Sequence, residues 1–361
     1  IQIFRNLNGD FMNKELGVEV SEERLRKLME EILLAVGCDS SSAKTTADVL
    51  IEADLRGYGT HGLIRLPAIV NRIQSGMIDP KAIPYIKKEN GSCSLVEGER
   101  SIGAVGAKYG ATLAAKNALS QGCSTVGVVN SDHICLTGYY AELIARMGCV
   151  GIVLGITTPL VHPIGGIERL LGTNPLAIAI PSSTEDPYLL DFATSSISNG
   201  LVMKAAVEGE SIPEGVALGP DGIPTMDPNQ ASKGALTPFG GHKGYGLCLT
   251  IGLLAGPLLG AKVGKPLAQS VADGHYDKGD LFIAIDPSSF GDTDVFRDSV
   301  FEHLYEVKSI AKSEGTDEIR IPGERAYKER KRRLQEGLTI EVGIWNKINV
   351  LCKELNVNCD V

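Results

Sequence analysis

The 361-residue sequence lacks the patterns that mark several large classes of protein. Its eight cysteines include no Cys-x-x-Cys pair, and there is no His-Glu-x-x-His, P-loop or Gly-x-Ser-x-Gly motif. The longest apolar run, 247–261, is shorter than the roughly 18 residues that span a bilayer, and glycines and a proline interrupt it. These absences disfavour a zinc ribbon, a disulfide scaffold and a membrane span, and they predict a soluble protein.

Positive charge is also in short supply. The net charge of -9 and the pI near 5.3 argue against nucleic acid or an anionic membrane as the main partner. Cys149 and Cys248 lie in apolar runs, as free thiols that act as small hydrophobes do, which favours the reducing cytoplasm. Residues 1–17 do not have the organisation of a secretory signal, and we expect a disordered leader or a cloning remnant there.

Hydrophobic periodicity divides the remaining chain into helical and mixed parts. Helical spacing predicts three helices within 18–75, and further helices at 295–313 and 343–355 place 301–361 in the same helical domain. Over 76–300, strands alternate with helices, which predicts an α/β domain with a mixed sheet. The predicted strands are 83–87, 92–97, 125–129, 149–156, 176–180, 188–192 and 280–285, and the predicted helices are 103–121, 137–147 and 243–261.

Two further patterns suggest structural roles. Gly252, Gly256 and Gly260 recur every four residues, which predicts a helix face that another element approaches closely. The charge run 324–333 is typical of a solvated helix face rather than a binding patch.

The common dinucleotide-binding fingerprint is absent as well. Gly103, Gly106 and Gly110 follow a strand and open a helix, but their spacing is G-x-x-G-x-x-x-G. No acidic residue ends a second strand about 20 residues further on. The sequence therefore disfavours a standard Rossmann site.

The stretch RGYGTHGLIR, residues 56–65, is the first candidate for chemistry. His61 and Arg65 are four residues apart, so a helix starting near Thr60 would present both on one face. An imidazole can move a proton and a guanidinium can hold a carboxylate. The alternative is an ordinary joint between helices with a surface His–Arg pair.

Three other candidates lie at predicted strand ends or before a helix. Residues 130–133, Asn-Ser-Asp-His, place His133 where α/β proteins bind ligands, although a simple turn would also suit these residue types. The turns 171–175 and 191–195 carry hydroxyls and amides that could receive a ribose or phosphate. The loop 238–246 is rich in glycine and leads to Lys243 at a helix start, which suits an anion.

Taken together, these stretches resemble the malate/L-lactate dehydrogenase family of the non-Rossmann type, which also includes L-sulfolactate, ureidoglycolate and diketogulonate enzymes. The segments that carry the resemblance are ADLRGYGTHGLIR, NSDH followed by GYYAELIA, GTNPLAIAIP, LDFATS, PFGGHKGYGL, GDLFIAIDP and IPGER. The resemblance implies a homodimer that interconverts small 2-hydroxy and 2-keto acids with NAD, NADP not being excluded, on a distinctive α/β fold.

The resemblance also implies site residues. His133 and His61 match the acid/base histidines, and His133 is our first expectation for the base. Arg65 matches the arginine that grips the substrate carboxylate, and Thr60 keeps the hydroxyl of the family's Ser-His-Gly. No metal is expected. The expected cofactor contacts are Thr157, Asp191, Phe192, Ala193, Lys243, Gly244, Pro322, Gly323 and Glu324.

The expected reaction is the oxidation of a 2-hydroxy acid, most simply (S)-malate to oxaloacetate. Lactate, sulfolactate and ureidoglycolate remain alternatives, because they differ at the end away from Arg65. Two competing hypotheses come from other classes of protein: a metal-dependent lyase or aldolase, and an inactive oligomeric scaffold.

Overall fold

The computed structural model describes residues 17–359, and local sequence signals explain where its helices begin. Ser21 caps the first helix by accepting a hydrogen bond from the Arg24 amide at 3.2 Å, and Asp39 caps the second through the amides of Ser41 and Ser42. The described helices are α1 (Glu22–Ala35), α2 (Ser40–Leu55), α3 (Leu66–Gln74), α4 (Gly103–Gln121), α5 (Thr137–Arg146), α6 (Asn199–Glu208), α7 (Pro228–Ala231), α8 (His242–Ala255), α9 (Gly264–Ala272), α10 (Thr293–Ser309), α11 (Glu324–Glu336) and α12 (Val342–Leu355).

Seven strands form one mixed sheet in the order β2-β3-β4-β10-β5-β6-β7. Only the β3–β4 pair is parallel, so the sheet differs from the all-parallel Rossmann arrangement. This confirms the predicted non-Rossmann α/β fold with a mixed sheet. The described strands are β1 (Gly17–Val20), β2 (Tyr85–Asn90), β3 (Cys93–Ser101), β4 (Cys123–Ser131), β5 (Val150–Gly155), β6 (Leu176–Ile180), β7 (Tyr188–Phe192), β8 (Ala217–Leu218), β9 (Ala235–Leu236), β10 (Gly279–Ile285) and β11 (Leu338–Glu341).

Helices cover both faces of this sheet. On one face α4 and α5 pack on the central strands, and on the other α8 packs on β5 and β10. In β10, Leu281 and Phe282 belong to different hydrophobic clusters because neighbouring strand residues point to opposite faces. A Cβ at Gly110 would lie 2.5 Å from Val128 of β4, so the glycines that open α4 serve close helix–sheet packing.

The N- and C-terminal segments join to form the helical part. β1 pairs antiparallel with β11, with Gly17 opposite Glu341. Residues 1–16 of the predicted leader lie outside the described residues. The domain boundary expected at residue 300 falls within α10, which runs unbroken through it, and the boundaries remain a prediction.

The charge run of α11 was expected to be a solvated face, and the structure corrects this. Arg330 forms a two-point ion pair with Glu52 of α2, with its Nε and Nη2 both 2.9 Å from carboxylate oxygens. Arg333 donates to the carbonyl of Asp54 at 2.7 Å. These two arginines dock α11 onto α2, a long-range contact that charge pattern alone does not reveal, while Arg325, Lys328, Lys331 and Arg332 stay exposed.

The prediction of a glycine face on a helix over 243–261 is also wrong. α8 ends at Ala255, and a short 3-10 turn, Pro257–Leu259, follows. Gly256 caps the helix and Gly260 adopts a left-handed conformation, so the three glycines do not share one face. Pro257 lacks the amide that a continuing helix would need.

Five of the eight cysteine side chains are buried, as expected for small hydrophobes. Within 17–359, no single helix is both long and apolar enough to cross a membrane, and only the bent pair 242–259 and 264–272 meets those criteria together.

Candidate active site

The stretch 59–65 forms two 3-10 turns, not the single helix expected from the spacing of His61 and Arg65. Gly62 separates the turns, and a Cβ there would lie 2.0 Å from the carboxylate of Asp54. That carboxylate accepts the Leu63 amide at 2.7 Å, although burial raises its pKa to about 7. A buried acid of α2 thus sets the shape of the segment.

These turns leave two groups available to a ligand. The Nε of Arg65 donates to the Thr60 carbonyl at 2.6 Å, and its two Nη atoms have no hydrogen-bond partner within 17–359. The Nδ1 of His61 lies 2.9 Å from the Thr60 hydroxyl, which can either donate or accept there. Among the residues that the structure describes, neither the two Nη atoms of Arg65 nor the Nε2 of His61 has a hydrogen-bond partner.

His133 follows the end of β4 in a tightly held loop. Its Nδ1 accepts a hydrogen bond from the Cys135 amide at 3.1 Å, so the neutral ring carries its proton on Nε2. A Cβ at Gly103 would lie 2.1 Å from the His133 carbonyl oxygen, which leaves the loop no room to move toward α4.

The structure brings the two predicted histidines together. Their ring centroids are 6.2 Å apart in a stacked arrangement. Burial, followed by the charge of Arg65, lowers the pKa of His61 to about 4. The pKa of His133 lies well below its usual value because of burial, with Arg65, His61, Lys278 and Arg72 adding to the effect. Both rings are therefore neutral at neutral pH in a cationic neighbourhood.

The predicted cofactor loops are joined to one another by hydrogen bonds. Thr157 Oγ1 accepts the Thr173 amide at 2.9 Å, the Thr194 amide donates to the Thr173 carbonyl at 2.8 Å, and the Phe239 amide donates to the Thr194 carbonyl at 3.0 Å. The rings of Phe192 and Phe239 meet edge to face at 5.5 Å. Loops distant in sequence thus form one continuous surface.

Lys243 lies in the first turn of α8, after Gly240 and Gly241, which both have positive φ. Within the described residues its ammonium has no hydrogen-bond partner. A Cβ at Gly244 would lie 1.8 Å from the Phe239 carbonyl oxygen, so only glycine fits there. A helix N-terminus beside a lysine is suited to a phosphate group.

The structure also shows what the Asp191 and Glu324 side chains do. Asp191 accepts the Gly138 amide at 2.7 Å at the start of α5, and burial raises its pKa to about 6. Glu324 accepts the Ile321 amide at 3.0 Å and pairs with Lys308. Both carboxylates therefore have structural partners within the described residues.

The Pro322–Glu324 segment lies against the edge strand of the sheet. A Cβ at Gly323 would lie 3.0 Å from Leu189 of β7, two residues before Asp191. Pro322 and Glu324 line a cavity of about 510 Å³ that Tyr188 also lines, and neither histidine lines it.

Sequence reasoning missed three charged groups around His133. Arg72 of α3 binds the carboxylate of Asp132. Lys278 pairs with Asp280, and the side chains of these two residues are buried. Burial raises the pKa of Asp280, whose Oδ1 has no partner within the described residues. Asp132 was visible in the NSDH motif, but no pattern linked it to Arg72 sixty residues earlier. Within 17–359, no three His, Cys, Asp or Glu side chains are grouped so that they could hold a metal ion.

Known proteins match this chain over most of its length. The family model described as malate/L-lactate dehydrogenase matches residues 20–349. The malate/(S)-sulfolactate dehydrogenase of Methanothermus fervidus is 40% identical over 339 residues, which cover 94% of this chain and 98% of the relative. The ureidoglycolate dehydrogenase (NAD(+)) of Escherichia coli is 33% identical over 326 residues, which cover 90% and 93%.

A solved structure extends the likeness to the whole fold. The malate dehydrogenase from Entamoeba histolytica superposes with a TM-score of 0.92 at 32% identity, covering 96% of this chain and 100% of that one. These matches define the class as an oxidoreductase acting on hydroxy acids. The chain belongs to the malate/L-lactate dehydrogenase family, which confirms the resemblance found in its motifs.

Proposed function

We propose that this protein is an NAD(P)-dependent 2-hydroxy acid dehydrogenase whose substrate pair is (S)-malate and oxaloacetate. The observation that carries the proposal is the stacked pair of neutral histidines beside the free guanidinium fork of Arg65. The relative from Methanothermus fervidus is a malate/(S)-sulfolactate dehydrogenase, and the solved structure from Entamoeba histolytica is that of a malate dehydrogenase. Lactate, sulfolactate and ureidoglycolate are the alternative substrates of the same chemistry.

Arg65 would bind the C1 carboxylate of the substrate. Its two free Nη atoms can make parallel, charge-assisted hydrogen bonds to a carboxylate, while its Nε stays fixed on the Thr60 carbonyl. Because the Nε of Arg65 is held on the carbonyl of Thr60, the residue next to His61, an acid bound by its fork would lie beside that ring.

The two histidines would have different roles at the substrate hydroxyl. In oxidation, Nε2 of His61 takes the hydroxyl proton while its Nδ1–H donates to Thr60 Oγ1, a contact that suits the neutral and the protonated ring alike. His133 would donate its Nε2–H to the same oxygen and stay neutral, because a proton on its Nδ1 would oppose the Cys135 amide. This reverses the ranking expected from sequence.

The cofactor would lie on the surface formed by the joined loops. The fit rests on the glycine cradle at Gly240, Gly241 and Gly244, where the free start of α8 and Lys243 suit a pyrophosphate. When bound, a nicotinamide ring supplies or accepts the hydride at the substrate C2. The residues proposed to hold it are Thr157, Asp191, Phe192, Ala193, Lys243, Gly244, Pro322, Gly323 and Glu324.

A homodimer in the cytoplasm completes the proposal. α8 exposes Leu249 and Leu253, and Leu258 in the following turn is 64% exposed, which is an unusual concentration of apolar side chains on a surface. Light scattering tests the proposal: twice the chain mass supports it, and a monomer at micromolar concentration contradicts it.

The central test is a panel of 2-keto acids assayed with NADH and with NADPH by absorbance at 340 nm. We expect oxaloacetate to give the highest kcat/KM, and Arg65→Met to reduce that value by roughly 100-fold or more through loss of the carboxylate contact. Arg65→Lys is the matched control, since it keeps the charge but loses the fork. Absence of nicotinamide oxidation with every keto acid would contradict the proposal.

A further inference from the structure

We propose that Arg72 is a positioning residue for His133 and acts through the buried carboxylate of Asp132, the residue next to it in the chain. This inference rests on the proposed role of His133 as the donor to the substrate oxygen. Nη1 of Arg72 lies 2.5 Å from Oδ1 and 2.7 Å from Oδ2 of Asp132, whose residue is 3% exposed.

The ion pair links two parts of the chain that must act together. Arg65 is the N-cap of α3, and Arg72 lies seven residues later in the last part of the same helix. At about 1.5 Å of rise per residue, the helix separates them along its axis by roughly 10 Å. One rigid element thus holds the proposed carboxylate clamp at its start and the support of the His133 loop near its end.

Other contacts hold the rest of the His133 loop, and the Arg72–Asp132 pair links the loop to α3. Gly103 lies against the His133 carbonyl, and the Tyr140 hydroxyl donates to the Ile134 carbonyl at 2.7 Å. Asp132 is the loop side chain that reaches α3. Without Arg72 its carboxylate would be buried without a countercharge, which strongly favours rearrangement of the loop.

Direct substrate binding by Arg72 is the rival role. The Nη1 atom of Arg72 donates to Asp132, and the Arg72 guanidinium lies 6.0 Å from the centre of the Tyr276 ring. Arg65 by contrast makes one backbone contact. The geometry therefore assigns support to Arg72 and binding to Arg65.

The test measures kcat and both KM values for Arg72→Met, Arg72→Lys, Asp132→Asn and the double variant Arg72→Met/Asp132→Asn. We expect Arg72→Met to lower kcat by roughly 10- to 100-fold, since an error of about 1 Å in placement can cost that much. KM for the nicotinamide cofactor should change less than about twofold, and Arg72→Lys should recover most of kcat. The double variant should be no slower than Arg72→Met, because both changes remove one link.

Arg26→Met is the matched control. Arg26 pairs with Asp48 in the helical part, and its side chain is 26% exposed, compared with 30% for Arg72. We expect it to lower the melting temperature without changing kcat. If Arg72→Met does not fold, Asp132→Asn still tests the link: we expect it to lower kcat about threefold or more, and an unchanged kcat would overturn the inference.

Three results would overturn the inference: unchanged kcat in folded Arg72→Met, a rise in keto-acid KM alone, or additive losses in the double variant. His133→Ala is assayed in parallel to keep the two proposals apart. If His133→Ala loses turnover while Arg72→Met keeps it, only the positioning role fails. If His133→Ala keeps turnover, the proposed role of His133 fails, and the positioning role of Arg72 fails with it, while the dehydrogenase activity itself stands.

Discussion

The two segments that carry His61 and His133 are held in place by different interactions. The 59–65 turns are shaped by Asp54, which accepts a backbone amide and whose pKa burial raises to about 7. The 130–135 loop is held through Asp132, which is charge-paired with Arg72. One segment rests on an acid whose pKa is raised to about 7 and the other on an ion pair.

This difference suits the different roles proposed for the rings. His61 has a hydroxyl partner that tolerates either protonation state, so a proton can enter and leave. His133 has a backbone amide donating to Nδ1 and several cations nearby, all of which favour the neutral ring. A ring that takes up a proton and a ring that only donates a hydrogen bond thus need different partners at Nδ1.

The strongest test of these different roles is to substitute each histidine. We expect His61→Ala to lower kcat by roughly 100- to 10,000-fold, because general acid–base catalysis is lost. His133→Gln, whose amide can still donate, should retain more activity than His61→Gln. Because the pKa of His61 is lowered to about 4, kcat/KM for oxidation in the wild type should stay level near neutral pH and fall as pH approaches 4.

Thr60→Val and Thr60→Ser are the controls for this experiment. Valine keeps the shape but removes the partner of His61 Nδ1, so it should impair turnover, whereas serine should preserve it. Equal losses in His133→Gln and His61→Gln would contradict the division of roles.

A smaller effect is expected in stability when Asp54 is replaced by Asn. The folded-state pKa of Asp54 is raised from 3.8 to about 7, so its contribution is present below pH 3.8 and is lost as pH rises through 7. The asparagine lacks this titration. Between pH 4 and pH 8, the free energy of unfolding of the variant should therefore improve relative to wild type by about 2–4 kcal/mol.

Urea unfolding followed at both pH values gives this comparison directly. A stability difference that does not vary with pH would show that Asp54 titrates normally, and the contrast between the two supporting acids would then disappear. Asp132→Asn, measured alongside, changes the charge-paired acid instead.

Local patterns predicted much of the sheet domain. The helix 103–121 and the strands 176–180 and 188–192 begin and end where expected, because their ends carry turn residues and their interiors a clear period. β1, β8, β9 and β11 were missed, since two- to four-residue strands carry too little periodicity. β1 and β11 gain their partners only when the two ends of the chain meet.

The same contrast applies to the site. His61, Arg65 and His133 stand in short motifs, so their residue types and neighbours identified them. Arg72 was not identified, because an arginine in an amphipathic helix has no distinguishing pattern until its partner is known.

By itself, the sequence determined the family, the mixed α/β class and the residue types available for chemistry, because these follow from local order along the chain. Only the tertiary structure decided the tautomer of His133, the two-turn shape of 59–65 and the Arg72–Asp132 link. Each of these depends on a hydrogen bond or an ion pair whose geometry is set by packing. A buried charge is stable only where the fold supplies its partner.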